Sequence, residues 1–132
     1  MNIGNRLHLI ASMITNYDSV IDIGTDHAYL PIYLIRENKS PRVIATEIRK
    51  GPYKKAEYNI MKAGLEDFIE LRFGPGFCPI TPGDAATAVI SGMGGGTICN
   101  IIKAHPQVAN SFKYLVLQPM TNQALLRRKL FH

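Results

Sequence analysis

The sequence has no tryptophan, only two cysteines and no long apolar stretch. Cys78 and Cys99 are too few and too far apart for a zinc site or a disulfide framework, so both are expected as reduced, structural residues. The four histidines, His8, His27, His105 and His132, lack metal-ligand spacing, and no metal is expected. No apolar run reaches the roughly 18 residues of a membrane span. The first residues lack the apolar stretch and cleavage site of a signal peptide. These absences lead to the expectation of a cytoplasmic protein with no membrane partner. Acidic residues are also in the minority, 10 against 15 lysines and arginines, for a net charge of +5. That excess favours an acidic partner such as nucleic acid, or is simply a basic surface. The positive charge gathers at Arg49-Lys50 with Lys54-Lys55, and at Arg127-Arg128-Lys129.

What is present suffices for one domain: 132 residues, 46% of them hydrophobic. Leu7, Ile10, Ala11 and Ile14 recur at helical spacing, which predicts an amphipathic helix over about 3–15. A short β-branched run closed by glycine predicts a buried strand at 19–24, and further apolar runs predict strands at 42–47, 68–73, 86–91 and 112–118. Helices are predicted between them. One spans 28–36, with Pro31 tolerable in its first turn. A second spans about 52–63, opened by Pro52 and stopped by Gly64. A third spans 97–104, and the end of the chain is expected to be helical. Residues 74–84 hold three prolines and three glycines and read as a loop. Five strands joined by helices imply an α/β fold, a doubly wound parallel sheet covered on both faces.

In such sheets ligands bind beyond the carboxyl ends of the strands. The first such loop is Asp22-Ile23-Gly24-Thr25-Asp26-His27-Ala28, where glycine admits a ligand and the next helix offers N–H groups to an anion. A dinucleotide fingerprint starting at Gly24 would need glycine at positions 26 and 29, which hold Asp26 and Tyr29. Asp26 would repel a pyrophosphate and suits a cation; the alternative is a plain helix cap. Glu47 ends the second strand, 23 positions after Gly24, where an acidic side chain hydrogen-bonds ribose hydroxyls. Together they point to an adenosine-containing ligand with a cationic group. After the fourth strand, Gly92-Met93-Gly94-Gly95-Gly96 has four glycines in five positions and no following lysine, so it is no Walker loop. It is either room for a flat base or a turn. Gln118-Pro119 ends the fifth strand at the same edge, where the amide either meets a base or closes the loop.

These motifs, Asp-Ile-Gly-Thr-Asp-His-Ala-Tyr-Leu-Pro at 22–31, Glu47 with Gly51-Pro52, Gly-Met-Gly-Gly at 92–95 and Leu-Gln-Pro at 117–119, resemble in order and spacing the bacterial tRNA (adenine(22)-N(1))-methyltransferase family. The resemblance runs from about Arg6 onward. It implies a Rossmann-like class I methyltransferase core, S-adenosylmethionine as donor with S-adenosylhomocysteine as product, and tRNA as substrate. By position, Asp22, Gly24 and Asp26 would line the methionine end of the donor and Glu47 the ribose. Thr25, Tyr29, Ile48 and Gly76 would complete the donor site. Asp26, His27, Gly92, Met93 and Gly94 would surround the methyl transfer. Gly95, Gln118, Pro119, Arg49 and Lys50 would face the RNA. For His27 the choice is between accepting a proton and a structural hydrogen bond.

Two departures from the family stand out. Pro75 occupies the position between two glycines where the family carries Asp or Asn, so no side chain there meets the donor's adenine. The family also continues into further strands and a C-terminal helical domain. The expectation is therefore a 1–132 core with the fifth strand as an exposed edge open to self-association. The alternatives are a non-catalytic donor- and RNA-binding fragment, and an NAD-dependent oxidoreductase domain.

Overall fold

A computed structural model of the chain describes residues 3–120 and 126–129. It contains a six-stranded sheet in the order β3-β2-β1-β4-β5-β6. The strands are β1 (Val20–Ile23), β2 (Val43–Glu47), β3 (Ile69–Phe73), β4 (Thr87–Met93), β5 (Tyr114–Pro119) and β6 (Leu126–Lys129). The first five are parallel, and β6 runs antiparallel to β5. The chain builds outward from β1 through β2 to β3, then returns to lay β4 on the other side of β1. That reversal puts the switch point between β1 and β4, where open α/β sheets bind ligands.

Side chains of a strand alternate between faces, and the core divides accordingly. Val20, Val43 and Ala45 pack with α1 (Gly4–Ser12), α2 (Tyr29–Arg36) and α3 (Lys50–Ala63) through Ile10, Leu34 and Ala56. Ile21, Ile23 and Ile44 face the opposite layer, α4 (Gly95–Ala104) and α5 (Pro106–Ser111), through Ile98, Ala109 and Phe112. The three-layer arrangement is the doubly wound α/β fold that the alternating runs imply.

Several expectations are corrected. The fourth strand does not stop at Ser91 but runs to Met93, with a register shift between Ser91 and Met93 that leaves Gly92 as an extra residue at φ +73°. This is a β-bulge, which glycine accommodates because it tolerates positive φ. A short helix, α5, follows α4 directly; Pro106 starts it at the position where a missing N–H costs nothing. The chain's end is not helical where it is described: Leu126–Lys129 pairs with β5. The backbone groups of β5 are paired there, so β5 is not an edge; among the described residues the edges are β3 and β6. Arg127 lies over the Tyr114 ring at 3.8 Å, which splits it from a single basic cluster with Arg128, since neighbours on a strand face opposite ways. Finally, Cys78 and Cys99 are free but exposed, not part of the core.

Among the described residues no helix is long and apolar enough to cross a membrane, and no three His, Cys, Asp or Glu residues gather to hold a metal. The 74–84 loop is tied down by Arg72, which donates to the Pro79 carbonyl at 2.9 Å and to Asp84 at 2.7 Å.

Candidate functional site

The loop after β1 is strapped to the end of β2. The Thr25 amide donates to the Thr46 carbonyl at 2.7 Å and the Gly24 amide to the Thr46 hydroxyl at 3.3 Å. The Asp26 amide donates to Glu47 Oε1 at 2.9 Å, and the Ala28 amide to the Thr25 carbonyl at 3.2 Å. Gly24, Asp26 and Ala28 all have left-handed φ, at +68°, +59° and +64°. Such φ values strain non-glycine residues and persist only where surrounding contacts hold them. Asp26 does not cap α2: the N-cap is Ala28, and no side chain bonds to the helix start. The plain-cap alternative therefore fails. The exposed Asp26 carboxylate instead pairs with Arg49 Nη2 at 3.4 Å and lies 3.8 Å from His27 Nε2. His27 and Tyr29 meet edge to face.

Glu47 is buried, with 2% of its side chain exposed. Its carboxylate accepts hydrogen bonds from the amides of Asp26, Ile48 and Arg49 and from Arg49 Nε at 3.2 Å. Burial alone would raise its pKa, but the bonds from Arg49 and the loop amides bring it below the usual carboxylate value. Asp22 is the reverse case. Burial pushes its carboxyl up from 3.8 to about 7; the Thr25 hydroxyl, at 2.8 Å, and the charge of Arg6 oppose this, while Glu47 adds to it. One buried acid is thus held ionised, and its neighbour at the same strand ends gains or loses a proton near neutral pH.

Asp22, Gly24, Thr25, Asp26, His27, Tyr29 and Gly92 line one cavity, together with Arg6, Leu7, Leu30, Arg49 and Ser91. It lies at the carboxyl ends of β1 and β4, at the switch point. A second cavity beside it is lined by Arg6, Gly92, Gln118, Pro119 and Met120. Arg6 and Gly92 belong to both. Glu47 adjoins the first cavity through Asp26 and Arg49. Met93 lines neither cavity, but its Cε would stand 2.7 Å from a Cβ on Gly24, which lines the first. Nothing lies within 4 Å of where a Cβ on Gly94, Gly95 or Gly96 would point, so internal packing does not demand glycine there.

Gly94 and Gly95 line neither cavity, and three further expected residues stand apart. Gly76 faces α4, where a Cβ would meet Ile101 at 3.0 Å, so its glycine is explained by packing. Ile48 and Lys50 are exposed at the start of α3, outside both cavities. Among the polar lining residues, two are not marked by the sequence, Ser91 and Arg6. Ser91 ends a run that reads only as a strand. Arg6 belongs to a helix whose pattern signals nothing but core packing, 85 positions from Ser91.

The fold and the placement of this cavity define a Rossmann-like methyltransferase domain. Residues 3–132 match the methyltransferase domain family, and the chain belongs to it. Over 131 residues it is 36% identical to the tRNA (adenine(22)-N(1))-methyltransferase of Bacillus subtilis, covering 99% of this chain and 55% of that protein. The crystal structure of the B. subtilis M1A22 tRNA methyltransferase TrmK superposes with a TM-score of 0.85 at 38% identity, over 89% of this chain and 50% of that one. The structure of M. capricolum TrmK in complex with S-adenosylhomocysteine gives 0.82 at 32% identity, over 91% and 53%. The chain thus spans about half the length of these relatives.

Proposed function

We propose that this chain is the donor-binding and catalytic core of a tRNA methyltransferase that uses S-adenosylmethionine to methylate N1 of an adenine. The observation that carries the reading is the convergence of Asp22, the Glu47-strapped loop and the Gly92 bulge at one switch point, in a chain 36% identical to a protein of that activity. The residues fit the donor's chemistry. Asp22 and Asp26 offer negative charge to an ammonium, and Glu47 stands at the strand end suited to ribose hydroxyls. The donor brings a methyl group on a sulfonium, electrophilic enough that an adenine N1 lone pair needs little base assistance.

The protein's task is then positioning. The space over Gly94 and Gly95 admits a flat base, and the Gln118 amide at the end of β5 can hydrogen-bond its edge. N1 lies on the pairing edge, so the target must leave its stack first. Arg49 at the cavity and Lys50, Lys54 and Lys55 along α3 supply phosphate attraction. His27 lies beside Asp26 at the cavity wall, which supports its taking a proton from the methylated base.

The test is transfer of labelled methyl from S-adenosylmethionine to tRNA with adenine or guanine at position 22, the position in the relative's name. Label should enter the adenine tRNA only. In parallel, S-adenosylhomocysteine should raise the thermal midpoint and NAD should not. Stabilisation by NAD alone would remove the donor assignment.

A further inference from the structure

Among the described residues β3 pairs only with β2, so one side of it is open. The Val43 amide donates to the Phe68 carbonyl and the Gly74 amide to the Glu47 carbonyl, which aims the backbone of residues 68 and 74 at β2. Backbone groups alternate in direction along a strand. Glu70 and Arg72 therefore also face β2, and Ile69, Leu71 and Phe73 turn their backbone groups outward. The Ile69 amide is spent on the Leu65 carbonyl at 3.0 Å. The Ile69 carbonyl and both backbone groups of Leu71 and Phe73 meet no partner among the described residues.

The side chains of β3 divide between the two faces of the sheet. Ile69 and Leu71 lie on the α3 face, where they line a groove with Tyr53, Glu57, Ile60, Met61 and Glu66. Phe73 meets the Tyr53 ring edge to face at 5.4 Å, and both Met61 and Phe73 are more than half exposed. Glu70 and Arg72 stand on the other face. Arg72 spends Nε on Glu70 at 2.6 Å and Nη1 on Pro79 and Asp84, which leaves Nη2 uncommitted.

We propose that two copies of this chain pair through their β3 edges, antiparallel and centred on Leu71. Edge strands are commonly blunted by charged side chains or proline. β3 has no proline, and its two charges have opposite signs. About a two-fold axis at Leu71, Glu70 of each copy faces Arg72 of the other, and Ile69 faces Phe73. Leu71 faces its own counterpart and exchanges both N–H···O bonds with it, while the Phe73 amide reaches the opposing Ile69 carbonyl. The register that satisfies the free backbone groups is thus the one that matches the charges. A slip of two residues either way would set Glu70 against Glu70 or Arg72 against Arg72, and like charges directly opposite are destabilising. Pairing also brings the second copy's Phe73 beside Ile69 and covers apolar surface of the groove. The edge is two strands from β1, so the switch-point cavity stays open in both copies. The self-association expected at an open fifth strand falls to β3 instead.

Sedimentation velocity of the chain over a wide range of concentration should show a reversible monomer–dimer equilibrium. Glu70→Arg sets arginine against Arg72 on both sides of the axis. It should weaken the dimer by about tenfold or more, since the unfavourable pair occurs twice. Phe73→Lys changes an exposed side chain and should weaken it as well. Circular dichroism spectra matching the native chain show that both variants fold. Arg72→Glu alone should also lose the dimer, yet mixed with Glu70→Arg it should restore one, because every arginine then faces a glutamate. Arg72 holds the 74–84 loop, so if Arg72→Glu does not fold, Glu70→Arg and Phe73→Lys decide the matter. A chain that stays monomeric at every concentration, or a dimer that Glu70→Arg and Phe73→Lys leave unchanged, overturns the proposal.

Discussion

The end of the Met93 side chain occupies the space where Gly24 would carry a side chain, with Met93 Cε 2.7 Å from that Cβ position. Two effects then oppose Gly24→Ala: the steric overlap and the left-handed φ of +68°. Met93 is unbranched and its methyl can swing away, so the overlap is cheap. The backbone strain has no such escape and costs about 1–2 kcal/mol. Gly24→Ala should therefore lose about that much stability, and Met93→Ala should recover little of it. Urea denaturation of the two single variants and the double variant measures the coupling. A coupling above about 1 kcal/mol would mean that the overlap, not the strain, dominates.

Asp22 should make the ligand-free protein less stable as pH rises toward neutrality. Folding raises its pKa from 3.8 to about 7, so the protonated form and the fold favour each other. That contribution is whole below about pH 4 and lost as pH passes through 7; its full size is at most about 4 kcal/mol. Asp22→Asn keeps an acceptor for the Thr25 hydroxyl and should flatten the curve between pH 4 and 8. Glu47 acts in the opposite sense. Its folded pKa is lowered, so its contribution is present above the usual carboxylate range and lost as pH falls through the folded value. Denaturation curves of both proteins across pH 4–8 test this. Parallel slopes would show that Asp22 is not the titrating group.

Glu47→Ala should cost stability as well as ligand affinity. From the sequence, the side chain looks like a ligand contact whose loss leaves the fold intact. In the structure its carboxylate receives three backbone amides and the Arg49 side chain, and those donors would be left unpaired. An unsatisfied buried group costs about 1–3 kcal/mol. The thermal midpoint without ligand is the measurement. A midpoint equal to that of the native chain would mean that water replaces the carboxylate at no cost.

Gly95→Ala should separate folding from function. Gly95 opens α4, and a Cβ there meets nothing within 4 Å. Alanine is the better helix former by up to about 1 kcal/mol, so the variant should be at least as stable as the native chain. If the target base lies against this turn, methyl transfer should fall while affinity for S-adenosylhomocysteine holds. A stable variant with unchanged turnover would place the base elsewhere.

The local sequence determined the elements themselves. The β-branched runs at Val20–Ile23 and Val43–Glu47 form strands because those residues suit a pleated, buried surface. Gly64 ends α3 because its φ of +70° is open to glycine at little cost. The cavity residues of the loop after β1 were legible for the same reason: Asp22, Gly24 and Asp26 are close in the chain, and the strand ending there sets where they face. Tertiary structure decided what depends on distant partners. Nothing in Leu126–Lys129 marks a strand by pattern; it is one because β5 offers unpaired backbone groups. Glu47 reads as a free ligand contact until the loop from β1 folds back to donate to it, across 21 positions from Asp26. Arg6 becomes part of the site only because α1 packs on the sheet and carries the guanidinium to Ser91 and Gln118, 85 and 112 positions away. Local pattern encodes which conformation a segment prefers and which face it buries. Which side chains meet across the ends of a sheet is set by the order of its strands and the packing of its helices.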